Sequence, residues 1–211
     1  MKPLAECSLY TFVDTAYLRG RKPTRVAAEL CKGGADIIQL RAKDLAPKEI
    51  AAMGAEILQI TRDAGVWLVI NDHPQIACDI GAPLVHLGQE DFQAPAAAAL
   101  VSARRFGLST HAPAEAEGAI AAGAAYIAIG PVYATPTKPT AKPVTLEYVR
   151  WAAANVLIPW FAIGGINLKN IDDVVAAGAK RICVVSAILN SPDIAEACQE
   201  FQRRLSSAAR K

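Results

Sequence analysis

Gln39, Arg41 and Lys43 stand at every second position of Gln39-Leu40-Arg41-Ala42-Lys43, a segment that closes an apolar run. In an extended chain that spacing puts three long polar side chains on one face, with Ile38 and Leu40 on the other. The bland alternative is a hydrated strand end with its cations paired to Asp44 or Glu49. Two more polar segments close apolar runs in the same way, Asn71-Asp72 and Gly88-Gln89-Glu90-Asp91. Asp72 and Asp91 offer carboxylates to one hard cation shared with water and phosphate oxygens, a set that suits Mg2+. Either aspartate alone reads as well as a helix cap or a loop solvator, and Asp72, just before His73-Pro74, is placed to cap the helix that follows. Two cations and two carboxylates at one rim have the polarity needed to hold a magnesium-bound pyrophosphate.

A second anion site is expected at Ala162-Ile-Gly164-Gly165-Ile-Asn167 and Val184-Val185-Ser186-Ala-Ile, where glycines let backbone N–H groups approach an anion and short helices begin. A tight turn needs glycines too. The stretch Gly130-Pro-Val-Tyr-Ala-Thr135-Pro-Thr137-Lys138-Pro-Thr-Ala-Lys142-Pro143 restricts its backbone with prolines while leaving hydroxyls and amines for anions. A long connection inside a compact domain reads as an active-site lid, against the alternative of a solvated polyproline-like excursion.

These groups need a frame that brings them together, and the hydrophobic pattern supplies one. Short β-rich runs alternate with Ala-rich helical stretches, the pattern of βα units around a parallel sheet. Strands are predicted at Leu9–Val13, Ile37–Ala42, Trp67–Asn71, Leu84–Leu87, Gly107–Ser109, Tyr126–Gly130, Trp160–Ile163 and Arg181–Val185. Helices are predicted near Thr24–Lys32, Lys48–Asp63, Pro74–Ile80, Ala96–Arg104, Ala114–Ala122, Leu146–Ala154, Leu168–Ala177 and Asp193–Leu205. An internal repeat supports the count: Gly34-Ala35, Gly81-Ala82, Gly123-Ala124 and Gly178-Ala179 each precede an apolar strand, and a glycine there can end a helix in the left-handed region. Eight such units make a (β/α)8 TIM barrel over residues 1–211, one catalytic domain with its chemistry at the C-terminal ends of the strands. The runner-up is a doubly wound open sheet in which Leu84–Leu87 and Gly107–Ser109 are loops.

Composition narrows the function. The 211 residues carry a formal net charge of +2 and are 53% apolar, which suits one soluble domain and suggests neither nucleic acid nor membrane as partner. The absence of a signal-peptide pattern and of an apolar run near ~20 residues makes the cytoplasm the expected compartment. Cys7, Cys31, Cys78, Cys183 and Cys198 form no CxxC pair and read as buried free thiols. The outer helices show no long apolar stripe that demands a partner, which leaves a homo-oligomer open.

Taken in order, Gln39-Leu-Arg41-Ala-Lys43, Asn71-Asp72, His86-Leu-Gly88-Gln89-Glu90-Asp91, Gly107-Leu-Ser109-Thr-His111, Gly130-Pro-Val-Tyr with Thr135-Pro-Thr137-Lys138, Ile163-Gly-Gly165-Ile and Val185-Ser186-Ala resemble the thiamine phosphate synthase family over essentially the whole chain. The resemblance implies a Mg2+-dependent transferase with two small-molecule substrates, 4-amino-5-hydroxymethyl-2-methylpyrimidine diphosphate and a thiazole phosphate, yielding thiamine phosphate and pyrophosphate. It implies that Arg41, Lys43 and Lys138 hold the diphosphate and that Asp72 and Asp91 hold the metal. Gln39 and Asn71 would face the pyrimidine and its phosphates, with Ser109 beside the departing pyrophosphate. Thr135, Thr137 and backbone groups at Gly165, Val185 and Ser186 would contact the thiazole phosphate. The chain departs from the family's pattern at His73-Pro74, at Pro139 and Lys142 in the lid, and at Val144-Thr145, where many relatives have a glycine.

Two alternatives stand beside this reading. A thiazole tautomerase of the same superfamily would use His111 to shuttle protons but would not need the diphosphate apparatus. A silent phosphate-binding sensor would keep Gly164-Gly165 and Ser186 yet could lose the carboxylates. His86 reads as a structural barrel histidine.

Overall fold

Eight parallel strands pair in chain order and the last pairs with the first, so the sheet is a closed barrel and the open-sheet alternative is ruled out. The computed structural model describes residues 1–93, 105–135 and 142–208. Its strands are β1 Leu9–Asp14, β2 Ile37–Arg41, β3 Trp67–Asn71, β4 Leu84–Leu87, β5 Arg105–Thr110, β6 Tyr126–Ile129, β7 Trp160–Ile163 and β8 Ile182–Cys183. The described helices, in order, are α1 Pro23–Lys32, α2 Pro47–Asp63, α3 Pro74–Ile80, α4 Gln89–Gln93, α5 Pro113–Ala121, α6 Thr145–Asn155, α7 Ile171–Ala176, α8 Ser186–Leu189 and α9 Ile194–Ala208. The helix expected at Ala96–Arg104 lies outside the described residues.

Four of these helices begin with proline at the first helical position, where its missing N–H is no loss. The glycine repeat does what its position predicts. Gly34, Gly81, Gly123 and Gly178 all have positive φ, and the next residue's N–H returns to a carbonyl five residues back, as in Ala35 to Leu30 and Ala124 to Ala119. That is the Schellman ending, which turns the chain from helix to strand. Gly65 does the same at the end of α2, with Val66 N–H reaching the Thr61 carbonyl.

Several boundaries differ from the expectation by one to three residues, two of them for evident local reasons. α7 starts at Ile171 because Asn170 Oδ1 accepts from Asn167 N–H and Asn167 Oδ1 from Lys169 N–H, which keeps that segment in a turn. β8 is only two residues long: Val184 N–H still reaches the Tyr10 carbonyl, but Val185 then turns (φ −109°, ψ −87°) into α8.

Side chains alternate as a barrel requires. Leu40 and Ile70 face outward to Gly54 of α2, while Tyr10, Tyr126 and Phe161 fill the interior in edge-on aromatic contacts. All three rings are fully buried. At the N-terminal end of the barrel the Asp36 carboxylate accepts from the N–H groups of Ser8 and Leu9 and pairs with Lys2 Nζ at 2.7 Å.

Candidate active site

A cavity of about 110 Å3 opens at the C-terminal ends of the strands. Most of the predicted site residues that the structure describes lie on its wall. Gln39 and Arg41 enter from β2, Asn71 from β3, and Ser109 from β5. Thr135 enters from the connection after β6, Gly165 from that after β7, and Val185 and Ser186 from the end of β8. Thr137 and Lys138 lie outside the described residues. Lys43, Asp72 and Asp91 are not part of the wall; they occupy the rim beside it, on the connections after β2, β3 and β4.

Both cations have carboxylate partners, but neither is Asp44 or Glu49. Arg41 Nη1 donates to Asp14 Oδ2 at 2.8 Å, with Asp14 buried, and Glu49 is occupied by the Ala46 N–H at the start of α2. Lys43 Nζ lies 3.4 Å from Asp72 Oδ2, with the lysine side chain 53% exposed. Such a solvated pair contributes about 0–1 kcal/mol, so both groups remain available to a charged ligand.

Asp72 does not cap α3, as the bland reading had it. His73 holds the cap position, and Asp72 sits one residue earlier in the left-handed region (φ 61°), a conformation that aspartate tolerates. Asp91 does take part in a cap: its Oδ2 accepts from Gly88 N–H at 3.1 Å, reaching back from the first turn of α4. Both residues follow the C-terminal ends of the neighbouring strands β3 and β4. Among the described residues no cluster of three or more His, Cys, Asp or Glu could hold a metal. The Asp72 and Asp91 carboxylates are hard oxygen donors, the type that suits Mg2+ when water and phosphate oxygens supply the other positions.

On the opposite wall the backbone carries the polarity. Among the described residues the N–H groups of Gly165, Val185 and Ser186, which line the cavity just past β7 and β8, have no protein acceptor. Gly164 and Gly165 also answer to packing. A Cβ on Gly164 would lie 2.4 Å from Pro131 Cα, and one on Gly165 2.7 Å from the Ala134 carbonyl. The connection after β6 is strapped against them by Val132 N–H to Ile163 O and Tyr133 N–H to Gly164 O. The turn reading is met by this packing.

Ser109 is anchored twice, its carbonyl by Gln89 Nε2 at 2.6 Å and its Oγ by His86 Nε2 at 2.9 Å. The His111 ring donates from Nδ1 to the Gly130 carbonyl. Cys183 also lines the cavity, but burial pushes its thiol well above the ordinary range, which removes it as a thiolate nucleophile. Sequence reasoning missed Asp14 and the paired tyrosines Tyr10 and Tyr126. Asp14 obeys the same strand-end rule and lies one residue past the end expected for β1.

The comparisons agree with this geometry. Residues 9–188 match the family model described as thiamine monophosphate synthase. The chain is 46% identical over 178 residues to a thiamine-phosphate synthase of Thermus thermophilus, covering 84% of this chain and 86% of the relative. It is 41% identical over 209 residues to that of Acidothermus cellulolyticus, covering 98% of each. A solved thiamine phosphate pyrophosphorylase from Pyrococcus furiosus superposes with a TM-score of 0.88 at 28% identity, covering 98% of this chain and 99% of that one. A closed eight-stranded barrel with cations, carboxylates and free backbone donors at one mouth, matched along nearly its whole length, belongs to the thiamine monophosphate synthase family.

Proposed function

We propose that this single barrel domain joins 4-amino-5-hydroxymethyl-2-methylpyrimidine diphosphate to a thiazole phosphate, releasing pyrophosphate. The observation that supports the reading is the division of the mouth into two polar sides: Arg41 on β2 with Lys43 on the rim beyond it, and backbone N–H groups without protein acceptors after β7 and β8. Two phosphorylated substrates need two such sides, and a proton-transfer enzyme acting on one monophosphate does not. That difference weighs against the tautomerase and sensor alternatives.

Arg41 and Lys43 hold the diphosphate, with Lys138 as the third cation. Gln39 and Asn71 orient the pyrimidine and its phosphates, and Ser109 donates to the departing pyrophosphate. Thr135, Thr137 and the N–H groups of Gly165, Val185 and Ser186 hold the thiazole phosphate. Asp72 and Asp91 are the residues that would hold Mg2+, which supplies charge neutralisation for the leaving group.

The exocyclic carbon is attached to an electron-rich aminopyrimidine, so its bond to oxygen can break before the new bond forms. Donors fixed where charge builds on the leaving oxygen lower that barrier without rearranging. The thiazole nitrogen, oriented by the second wall, then captures the pyrimidine cation. No enzyme nucleophile is needed. Among the described residues no helix is long and apolar enough to cross a membrane, and the cytoplasm is the proposed compartment.

The deciding experiment supplies both substrates to the purified protein, with Mg2+ or with a chelator, and reads thiamine phosphate by mass. Magnesium-dependent product supports the reading. Absence of product while either substrate binds would refute it.

A further inference from the structure

The barrel interior holds an unbroken line of hydrogen bonds that ends at Ser109. Gln39 Nε2 donates to Tyr10 Oη at 2.6 Å, Tyr10 Oη lies 3.0 Å from Tyr126 Oη, and Tyr126 Oη lies 3.1 Å from His86 Nδ1. His86 Nε2 completes it, 2.9 Å from Ser109 Oγ. Five residues from β1, β2, β4, β5 and β6 are joined, and Gln39, Tyr10 and His86 are all under a tenth exposed. Gly107 of β5 makes the line geometrically accessible. It sits in register between His86 and Tyr126, and a Cβ there would lie 2.1 Å from the Tyr126 ring. The tyrosine passes over the glycine to stack against the histidine, with ring centroids 5.6 Å apart.

The chemistry of the first group sets the sense of the whole line. With Gln39 Nε2 donating, Tyr10 Oη accepts from it and is free to give its own proton to Tyr126 Oη, 3.0 Å away. Tyr126 in turn spends its proton on His86 Nδ1. A neutral imidazole accepting at Nδ1 carries its hydrogen on Nε2, which then donates to Ser109 Oγ. Burial pushes both tyrosine hydroxyls well up, so both keep their protons.

We propose that Tyr10, Tyr126 and His86 are positioning residues that fix the His86 Nε2–H tautomer and thereby turn the Ser109 hydroxyl into an obligate donor toward the cavity. With its lone pair engaged by His86, Ser109 directs O–H at whatever anion sits in front of it. The opposite sense would consume the serine proton on His86 and face an anionic leaving group with lone pairs alone. Aligned hydrogen bonds polarise one another, so the donor at the end of the line is stronger than an isolated serine. The proposal rests on the reading of Ser109 as a contact of the departing pyrophosphate.

The test separates the tautomer from the reaction. Protein labelled with 15N-histidine is observed by long-range 1H–15N spectroscopy, with the His86 signals assigned by their loss in His86→Gln. The expected wild-type spectrum shows a bare Nδ1 and a protonated Nε2 at His86. Tyr126→Phe removes the hydroxyl that holds Nδ1, so the Nδ1 signal should shift away from that of a hydrogen-bonded acceptor, and kcat should fall on the order of tenfold with the KM for thiazole phosphate unchanged. His86→Gln retains a nitrogen donor near the Nε2 position and should stay within about threefold of wild type, whereas His86→Leu should lose on the order of a hundredfold. Should Tyr126→Phe not fold, Tyr10→Phe breaks the same line one link earlier, with the same expected spectral change.

A wild-type His86 protonated at Nδ1 would overturn the proposal, as would a tautomer and kcat both indifferent to the tyrosine variants. Failure to form thiamine phosphate would sink the functional reading while leaving the tautomer result intact.

Discussion

Arg41 and Asp14 face each other in register across β1 and β2, and Arg41 Nη1 donates to Asp14 Oδ2 at 2.8 Å. The other aspartate oxygen accepts from Ala16 N–H at 3.0 Å, so the carboxylate is fixed before it meets the guanidinium. The arginine is thus held at the cavity wall with its remaining N–H groups available to an anion.

Asp14→Asn keeps the shape and the turn acceptor but removes the charge that holds Arg41. A hydrogen bond between charged groups contributes about 1.5–3 kcal/mol, so kcat/KM for the pyrimidine diphosphate should fall about tenfold to a hundredfold. The KM for thiazole phosphate should not move. Steady-state kinetics with each substrate varied in turn would decide it, and unchanged values for the diphosphate would show that Arg41 needs no partner.

Asp72 and Asp91 differ in what else they do, and their variants should differ accordingly. Asp72→Asn and Asp91→Asn should each abolish turnover at ordinary Mg2+ concentrations while leaving thiazole phosphate binding intact by calorimetry. Asp91→Ala should in addition cost about 1 kcal/mol of stability, because it removes the acceptor for Gly88 N–H. Loss of thiazole phosphate binding in the asparagine variants would mean the carboxylates build the site and do not hold its metal.

Thr145 has φ 62° at the start of α6. A β-branched residue in the left-handed region is strained by about 1–3 kcal/mol, while glycine adds about 0.5–1 kcal/mol of unfolded-chain entropy. Thr145→Gly should therefore stabilise the protein by up to about 2 kcal/mol in a urea titration. A lower midpoint at the same slope would show that the threonine side chain contributes more than its backbone costs.

How much of this was legible in the sequence depends on the range of the interactions. The Gly-Ala repeat is a local device, and it marked the βα units correctly because the Schellman ending needs only a few consecutive residues. Gln39 and Arg41 were legible because a strand's alternation assigns faces without knowledge of neighbours, whereas Ser109 was marked by the family resemblance alone. The Tyr10 to Tyr126 bond joins residues 116 positions apart, and Tyr126 to His86 spans 40. No local pattern marks such partners, so His86 read as a structural histidine and neither tyrosine was singled out. Val185 was placed inside a strand because its composition is strand-like, whereas barrel closure ends β8 at Cys183 and frees the Val185 N–H for the cavity.

Asp36 contributes to the acid limit of the fold. Burial raises its pKa, but Lys2 and the N–H groups of Leu9 and Ser8 outweigh it and hold the carboxyl below its ordinary value. A carboxylate depressed in the folded state contributes stability that is fully present above its unfolded pKa, about 3.9, and is lost as pH falls through the lower folded value. Unfolding free energy measured in urea should thus be level near neutrality with respect to this group and decline below about pH 4. Asp36→Asn cannot ionise and should be less stable at pH 7, with a shallower acid decline. A variant whose acid limb runs parallel to the wild type would place the responsible carboxylate elsewhere, because removing the titrating group must remove its share of the slope.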